Sequence, residues 1–220
     1  MDKVAIYRRL KHSKVVNKDV KILELCKAKS VLDIGCVGQD KNLNNPDWLH
    51  GKILKVATSI VGVDIDKEGI NQLRKQGLSV FTEKEIKEKG VKYQVILMAD
   101  VIEHVNDPVR FLKDYSTLLN DDGIFIITTP NATRISNSTG LLLINHFSVN
   151  PEHTFWFCSK TIVEVANRAG LKFKDFYWLK EYFSIGDLKG FIGKIMFVIN
   201  LLFSKLRRSF NPNFMIILKK

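Results

Sequence analysis

The stretch Ser30-Val31-Leu32-Asp33-Ile34-Gly35-Cys36-Val37-Gly38 decides the fold. It reads as a short buried strand with an acid near its end, followed by a turn through glycines. Such a turn lets the backbone approach a ligand closely. A single glycine turn is a weak signal, but a second stretch strengthens it. Val61-Gly62-Val63-Asp64-Ile65-Asp66 is an apolar strand with an acid at its tip. Its distance from the glycine turn, roughly 25–30 residues, suits one βαβ unit. An acid there can accept hydrogen bonds from both ribose hydroxyls of a nucleoside. Asp33 narrows the ligand further: placed just before the turn, it repels a pyrophosphate and can pair with an ammonium group.

Outward from these two stretches, short apolar runs alternate with helical patterns, the signature of a parallel sheet covered on both faces. The pattern predicts strands at Ser30–Ile34, Ile60–Val63, Leu78–Phe81, Tyr93–Met98, Gly123–Thr128, Lys172–Trp178 and Asn213–Leu218. Helices are predicted near Asp19–Ala28, Asp47–Thr58, Lys67–Lys75, Asp107–Leu119 and Ser159–Ala169, with a short solvated one at Glu83–Lys89. Asp107-Pro108 supplies a cap and a first-position proline. Ser159 is expected to cap the last of these helices and Gly170 to end it. At 220 residues the chain fits one domain, with residues 1–29 as an N-terminal helical segment and 184–210 as a helical insert before the last strand.

Four stretches in order now resemble the class I S-adenosylmethionine-dependent methyltransferases. Val31–Cys36 looks like the family's first motif, and Val61–Asp66 like its ribose-binding strand. Asp100-Val101-Ile102-Glu103-His104-Val105-Asn106-Asp107-Pro108 is similar to the segment after the fourth strand. Leu119-Asn120-Asp121-Asp122-Gly123, running on to Thr128-Thr129-Pro130-Asn131, matches the turn and fifth strand. The resemblance implies a Rossmann-like α/β fold, with a seven-stranded, mostly parallel sheet whose last strand is antiparallel. It also implies S-adenosylmethionine as cofactor. Asp33, Gly35, Cys36, Gly38, Asp64, Ile65, Met98 and Ala99 are the candidate cofactor-binding residues. This chain departs from the family in having Val37 where a second glycine is usual, with Gly38 one residue late. The acid often found after the third strand has Glu83 or Glu85 as its counterpart, or neither.

The reacting end is read from Asp100-x-x-Glu103-His104, at the rim where open α/β sheets bind ligands, and from His153 in Pro151–Trp156. Two carboxylates and two imidazoles can form a divalent metal site. The set resembles two metal-dependent branches of the family, the ubiquinone-pathway O-methyltransferases and the small-RNA 2′-O-methyltransferases. The resemblance makes Asp100, Glu103, His104 and His153 candidate ligands for Mg or Mn, with Asp in place of the more usual Glu. Without metal, His104 or His153 is the candidate general base. A third alternative leaves Glu103 and His104 to tie down the loop beneath the donor. A nicotinamide-dependent oxidoreductase is disfavoured by Asp33 and the lack of a regular G-x-G-x-x-G, and a donor-less binding protein is the other competing class.

The net charge of +11 is uneven. Residues 1–30 carry +6, residues 180–220 carry +6, and 31–179 carry −1. Such basic ends can attract an anionic substrate, nucleic acid or an acidic membrane surface. Nucleic acid is the less favoured partner, since no aromatic-basic RNA-binding motif is present. Residues 191–208 join an apolar run to Lys205, Arg207 and Arg208, a pattern that can lie on a membrane surface or pack as an ordinary helix. Three cysteines without metal spacing, and a charged N-terminal stretch, fit a cytoplasmic protein, peripheral to a membrane if the insert touches lipid. The character of the His153–Trp156 stretch and the insert is similar to that of bacterial enzymes of cell-surface sugar or lipid-linked pathways.

Overall fold

The computed structural model describes residues 2–38, 45–145, 150–180, 198 and 202–220. In chain order its elements are α1 (Lys3–His12), β1 (Val15–Val16), α2 (Lys18–Cys26), β2 (Ser30–Ile34), α3 (Leu49–Leu54), β3 (Ser59–Val63), α4 (Lys67–Lys75) and β4 (Val80–Phe81). There follow α5 (Glu83–Lys89), β5 (Tyr93–Ala99), a 3-10 turn (Ile102–His104), α6 (Pro108–Ser116), β6 (Leu119–Pro130), α7 (Ile135–Ile144), α8 (Ser159–Arg168) and β7 (Lys172–Leu179). A second 3-10 turn (Arg208–Phe210) and β8 (Asn213–Lys219) complete the chain.

All eight strands form one sheet in the order β1-β7-β8-β6-β5-β2-β3-β4. β8 runs antiparallel to both β6 and β7, and every other pairing is parallel. Strand alternation divides the core cleanly. Leu32, Ile34, Ile96, Met98, Phe125, Ile127, Phe214 and Ile216 face one layer, built from α1, α5, α6 and α8. Val31, Val95, Leu97, Ile126 and Met215 face the other, covered by Ile22 of α2 and Ile53 of α3. The central strands β2, β5 and β6 are therefore apolar on both faces, which is why they read as continuous runs.

The Rossmann-like class is as expected, with differences in detail. An eighth strand appears because Val15–Val16 pairs with Trp178 and Leu179 at the sheet edge. Two residues carry no readable alternation. The expected turn at Asn120–Gly123 belongs to β6: its register against β5 jumps from Tyr93↔Leu119 to Val95↔Ile124, so these residues bulge from the ladder. The N-cap of α8 is Cys158, whose N–H donates to the Thr161 hydroxyl, and Ser159 is the first helical residue. The α3 helix is shorter than expected, and α7 was not expected at all. Most of the insert at 184–210 lies outside the described residues. Its described part has helical residues 202–206 before the second 3-10 turn. Among the described residues, no helix is long and apolar enough to cross a membrane.

Candidate active site

A cleft of about 950 Å³ opens at the carboxyl ends of β2, β3, β5 and β6, where a doubly wound sheet leaves its ligand crevice. Gly35 has φ +81°, and a Cβ on it would meet Val101 Cγ2 at 2.6 Å. The glycine is thus needed both for its backbone and for the space beside it. Gly35 and Gly38 line one wall, and Asp64 and Ile65 line the next at the tip of β3. Asp64 accepts from the backbone N–H of Val37 (2.9 Å), Ile65 (2.8 Å) and Asp66 (3.0 Å), so its carboxylate ties the glycine turn to β3. Ile65 is 92 % exposed, an apolar side chain left uncovered inside the cleft mouth.

Val37 stands where a glycine was expected, yet it is buried. The structure accommodates it by lacking a side chain opposite: a Cβ on Gly69 of α4 would meet Val37 Cγ1 at 2.5 Å. Ala99 lines the cleft, whereas Met98 is buried behind it in β5. Cys36 is also behind the wall; burial raises its thiol pKa, and its carbonyl accepts from Trp48 Nε1 at 2.7 Å. Asp33 does not reach the cleft. It lies on the strand face opposite Leu32 and Ile34, is 4 % exposed, and accepts from His50 Nδ1 of α3 at 2.8 Å. Of the two acids weighed after the third strand, Glu83 lines the cleft. Glu85 is engaged elsewhere, accepting from the Thr82 N–H and hydroxyl and from Arg74.

At the far end of the cleft the structure brings Glu103, His104 and His153 together, with one ligand atom of each within 4.8 Å of the others. Glu103 sits in the 3-10 turn after β5. Its carbonyl accepts from the N–H of Thr154 (2.9 Å) and Phe155 (3.1 Å) and from the Thr154 hydroxyl (3.0 Å), which pins the His153 loop against the turn. Glu103 Oε2 accepts from Thr129 Oγ1 at 3.0 Å, while Oε1 is buried without a hydrogen-bond partner. Burial, reinforced by the charge of Asp100, pushes this carboxyl up to about 7. The two imidazoles meet edge to face, ring centroids 4.7 Å apart. His104 Nδ1 donates to the Glu152 carbonyl (3.2 Å), which turns the Nε2 lone pair outward. His153 Nδ1 is buried and unpartnered, and burial together with the neighbouring His104 lowers its pKa. Asp100 stands beside this group in a left-handed conformation (φ 55°), its carboxylate taken by Lys18 and by Thr128 Oγ1 (2.9 Å).

The donor set fits a divalent cation. One buried carboxylate oxygen and one buried imidazole nitrogen lack partners at the point where three ligand groups converge, and such orphaned atoms are costly without an occupant.

Residues 9–174 match the family model described as methyltransferase domain. The chain belongs to that family. The solved structures it resembles share its Rossmann-like fold over most or all of the chain. An S-adenosylmethionine-dependent methyltransferase from Archaeoglobus fulgidus superposes with TM-score 0.56 at 19 % identity, covering 100 % of this chain and 95 % of the other. One from Aquifex aeolicus gives 0.55 at 15 % identity, covering 99 % and 98 %. Among curated proteins, the ubiquinone biosynthesis O-methyltransferase of Pelagibacter ubique is 33 % identical over 111 residues, 47 % of this chain and 42 % of that protein. A probable S-adenosylmethionine-dependent methyltransferase of Mycolicibacterium smegmatis is 26 % identical over 175 residues, 77 % of this chain and 58 % of that protein. The methyltransferase domain thus spans about half the length of the curated relatives it matches.

Two supporting residues were not legible in the sequence: His50 of α3, which binds Asp33 of β2, and Trp48 just before α3, which donates to the Cys36 carbonyl of the glycine turn. A lone histidine seventeen residues from Asp33 carries no motif. The usable signal was the face of β2: Asp33 alternates with Leu32 and Ile34, so its side chain had to point into a helix layer.

Proposed function

We propose that this methyltransferase domain transfers the methyl group of S-adenosylmethionine to an oxygen of an acceptor bearing neighbouring hydroxyls, a small molecule, sugar or lipid-linked compound. The observation that carries the reading is the convergence of Glu103, His104 and His153, with two buried partnerless atoms, in the same cleft as Asp64 and Ile65. In this reading Asp64 accepts from the donor's ribose hydroxyls and Ile65 offers an apolar face to its base. Gly35 and Gly38 leave room for the methionine part, bounded by Ala99. Asp33, Cys36 and Met98 act from behind the wall, by shaping it.

Glu103, His104 and His153 would hold Mg or Mn, with Asp100 adding charge beside them. A bound cation supplies Lewis-acid chemistry that makes an acceptor hydroxyl easier to deprotonate. The chain itself holds the acceptor oxygen near the donor, so that an in-line displacement gains mainly from positioning. In a site without cation, His104 or His153 would take the acceptor's proton, and the lowered pKa of His153 favours its neutral form.

The test is transfer of radiolabelled methyl groups to catechols, sugars, lipid-linked sugars and RNA, with Mg, Mn or a chelator. The proposal expects transfer to an acceptor with neighbouring hydroxyls, stimulated by the cation. Glu103→Gln and His153→Ala should abolish that transfer while leaving affinity for S-adenosylhomocysteine within about twofold. Undiminished transfer in chelator with both variants active would overturn the cation reading.

A further inference from the structure

Three segments distant in sequence meet at the carboxyl edge of the sheet, beside the mouth of the cleft. Arg208 donates to the carbonyls of His12 (2.8 Å) and Ser13 (3.1 Å), fixing the C-terminal basic segment to the end of α1. Asn131, which follows β6, donates to the carbonyls of Ser209 (2.9 Å) and Asn211 (2.8 Å), fixing the same segment to the approach of α7. Pro130 and Asn213, at the ends of β6 and β8, themselves line the cleft. This edge exposes large apolar side chains on α7 and among helical residues 202–206. Leu142 is 84 % exposed on α7, and Leu206 76 % and Leu202 55 % in the C-terminal segment. Exposed cations flank Leu206 in sequence and stand on and just after the end of α1 that Arg208 binds. Among the described residues, Arg8, Lys11, Lys14, Lys205 and Arg207 have no ion-pair partner. A groove of about 710 Å³ runs between α1 and α2 from this edge, with Arg8, His12 and Lys14 along it.

We propose that this edge docks on the surface of an anionic lipid bilayer, with Leu202, Leu206 and Leu142 entering the headgroup boundary and these cations pairing with lipid phosphates. Charge decides the occupant. A second copy of the chain would set cation against cation, since Arg8, Lys11 and Lys14 on and just after α1 and Lys205 and Arg207 beside Arg208 are like charges brought together by the Arg208 contact. Nucleic acid would use the cations but leave the leucines in water. An anionic membrane satisfies both at once, because apolar burial and basic attraction add at such an interface. Docking in this orientation brings the cleft mouth to the lipid surface, so an acceptor carried in the bilayer reaches the site without leaving it. The docking itself stands independently of methyl transfer.

The experiment is co-sedimentation of the full chain with phosphatidylcholine vesicles and with vesicles containing phosphatidylglycerol. The proposal expects binding to the anionic vesicles at least tenfold tighter than to the neutral ones, and weaker in high salt. Lys205→Gln with Arg207→Gln should weaken it roughly 30-fold, by loss of two surface cations. Leu202→Ser with Leu206→Ser should weaken it roughly tenfold or more, with the thermal midpoint unchanged. Equal affinity for both vesicles, or none for either, overturns the proposal. So does binding to polyuridylate as tight as to anionic vesicles and indifferent to the leucine substitutions, which would mark a nucleic-acid surface.

Discussion

Asp64 has two tasks in one carboxylate. It accepts three backbone N–H groups from the glycine turn and from its own strand tip, and it faces the cleft where a ribose would lie. Asp64→Ala should weaken S-adenosylhomocysteine binding by about 1–3 kcal/mol, because ligand hydroxyls lose a charged acceptor. Unchanged affinity by calorimetry would show that the ribose lies elsewhere. Asp33 behaves differently. Read from its position before the glycine turn, it was expected to meet an ammonium group directly, but strand alternation turns it into the helix layer against His50. His50→Ala leaves that carboxylate buried and unpaired, and should destabilise the domain by about 3–5 kcal/mol in urea unfolding. A loss below about 1 kcal/mol would mean that Asp33 is satisfied without His50. The residues lining the cleft were legible because motif spacing places them at strand ends. Their partners were not, because a contact between Asp33 and α3 is set by packing and leaves no local pattern.

At the scale of elements, the strands read well where both faces are buried and poorly where they are short. β2 was expected at its observed bounds because Val31 to Ile34 are all covered. β1 has two residues and exists only because β7 offers an edge. The apolar α7 was missed because its residues lack an amphipathic period, and Leu141 and Leu142 face outward. The contact between the glycine turn and α4 makes a sharper point. Val37 departs from the family pattern, and Gly69 is the space that receives it. Gly69→Ala should cost about 1–3 kcal/mol by overpacking. In a Val37→Ala background the same change should cost clearly less, a coupling that unfolding of the four proteins in the cycle would measure. Additive effects would separate the two positions.

Across the whole molecule, the doubly wound sheet places the cleft-lining candidate residues at one edge. The glycine turn, the β3 tip and the Glu103–His104–His153 group open into one cleft, and the helix layers hold the strands that carry them. The fold class was readable from the order of motifs alone. The acceptor was not, because neither periodicity nor motif spacing in the sequence specifies which acceptor the cleft takes. The cleft, as proposed, receives S-adenosylmethionine. The measurement that tests it most directly is calorimetric titration of the purified chain with S-adenosylhomocysteine, with and without Mg or Mn. One molecule bound per chain at micromolar affinity is the expected result. Absence of binding up to millimolar ligand, with and without the cations, would contradict it.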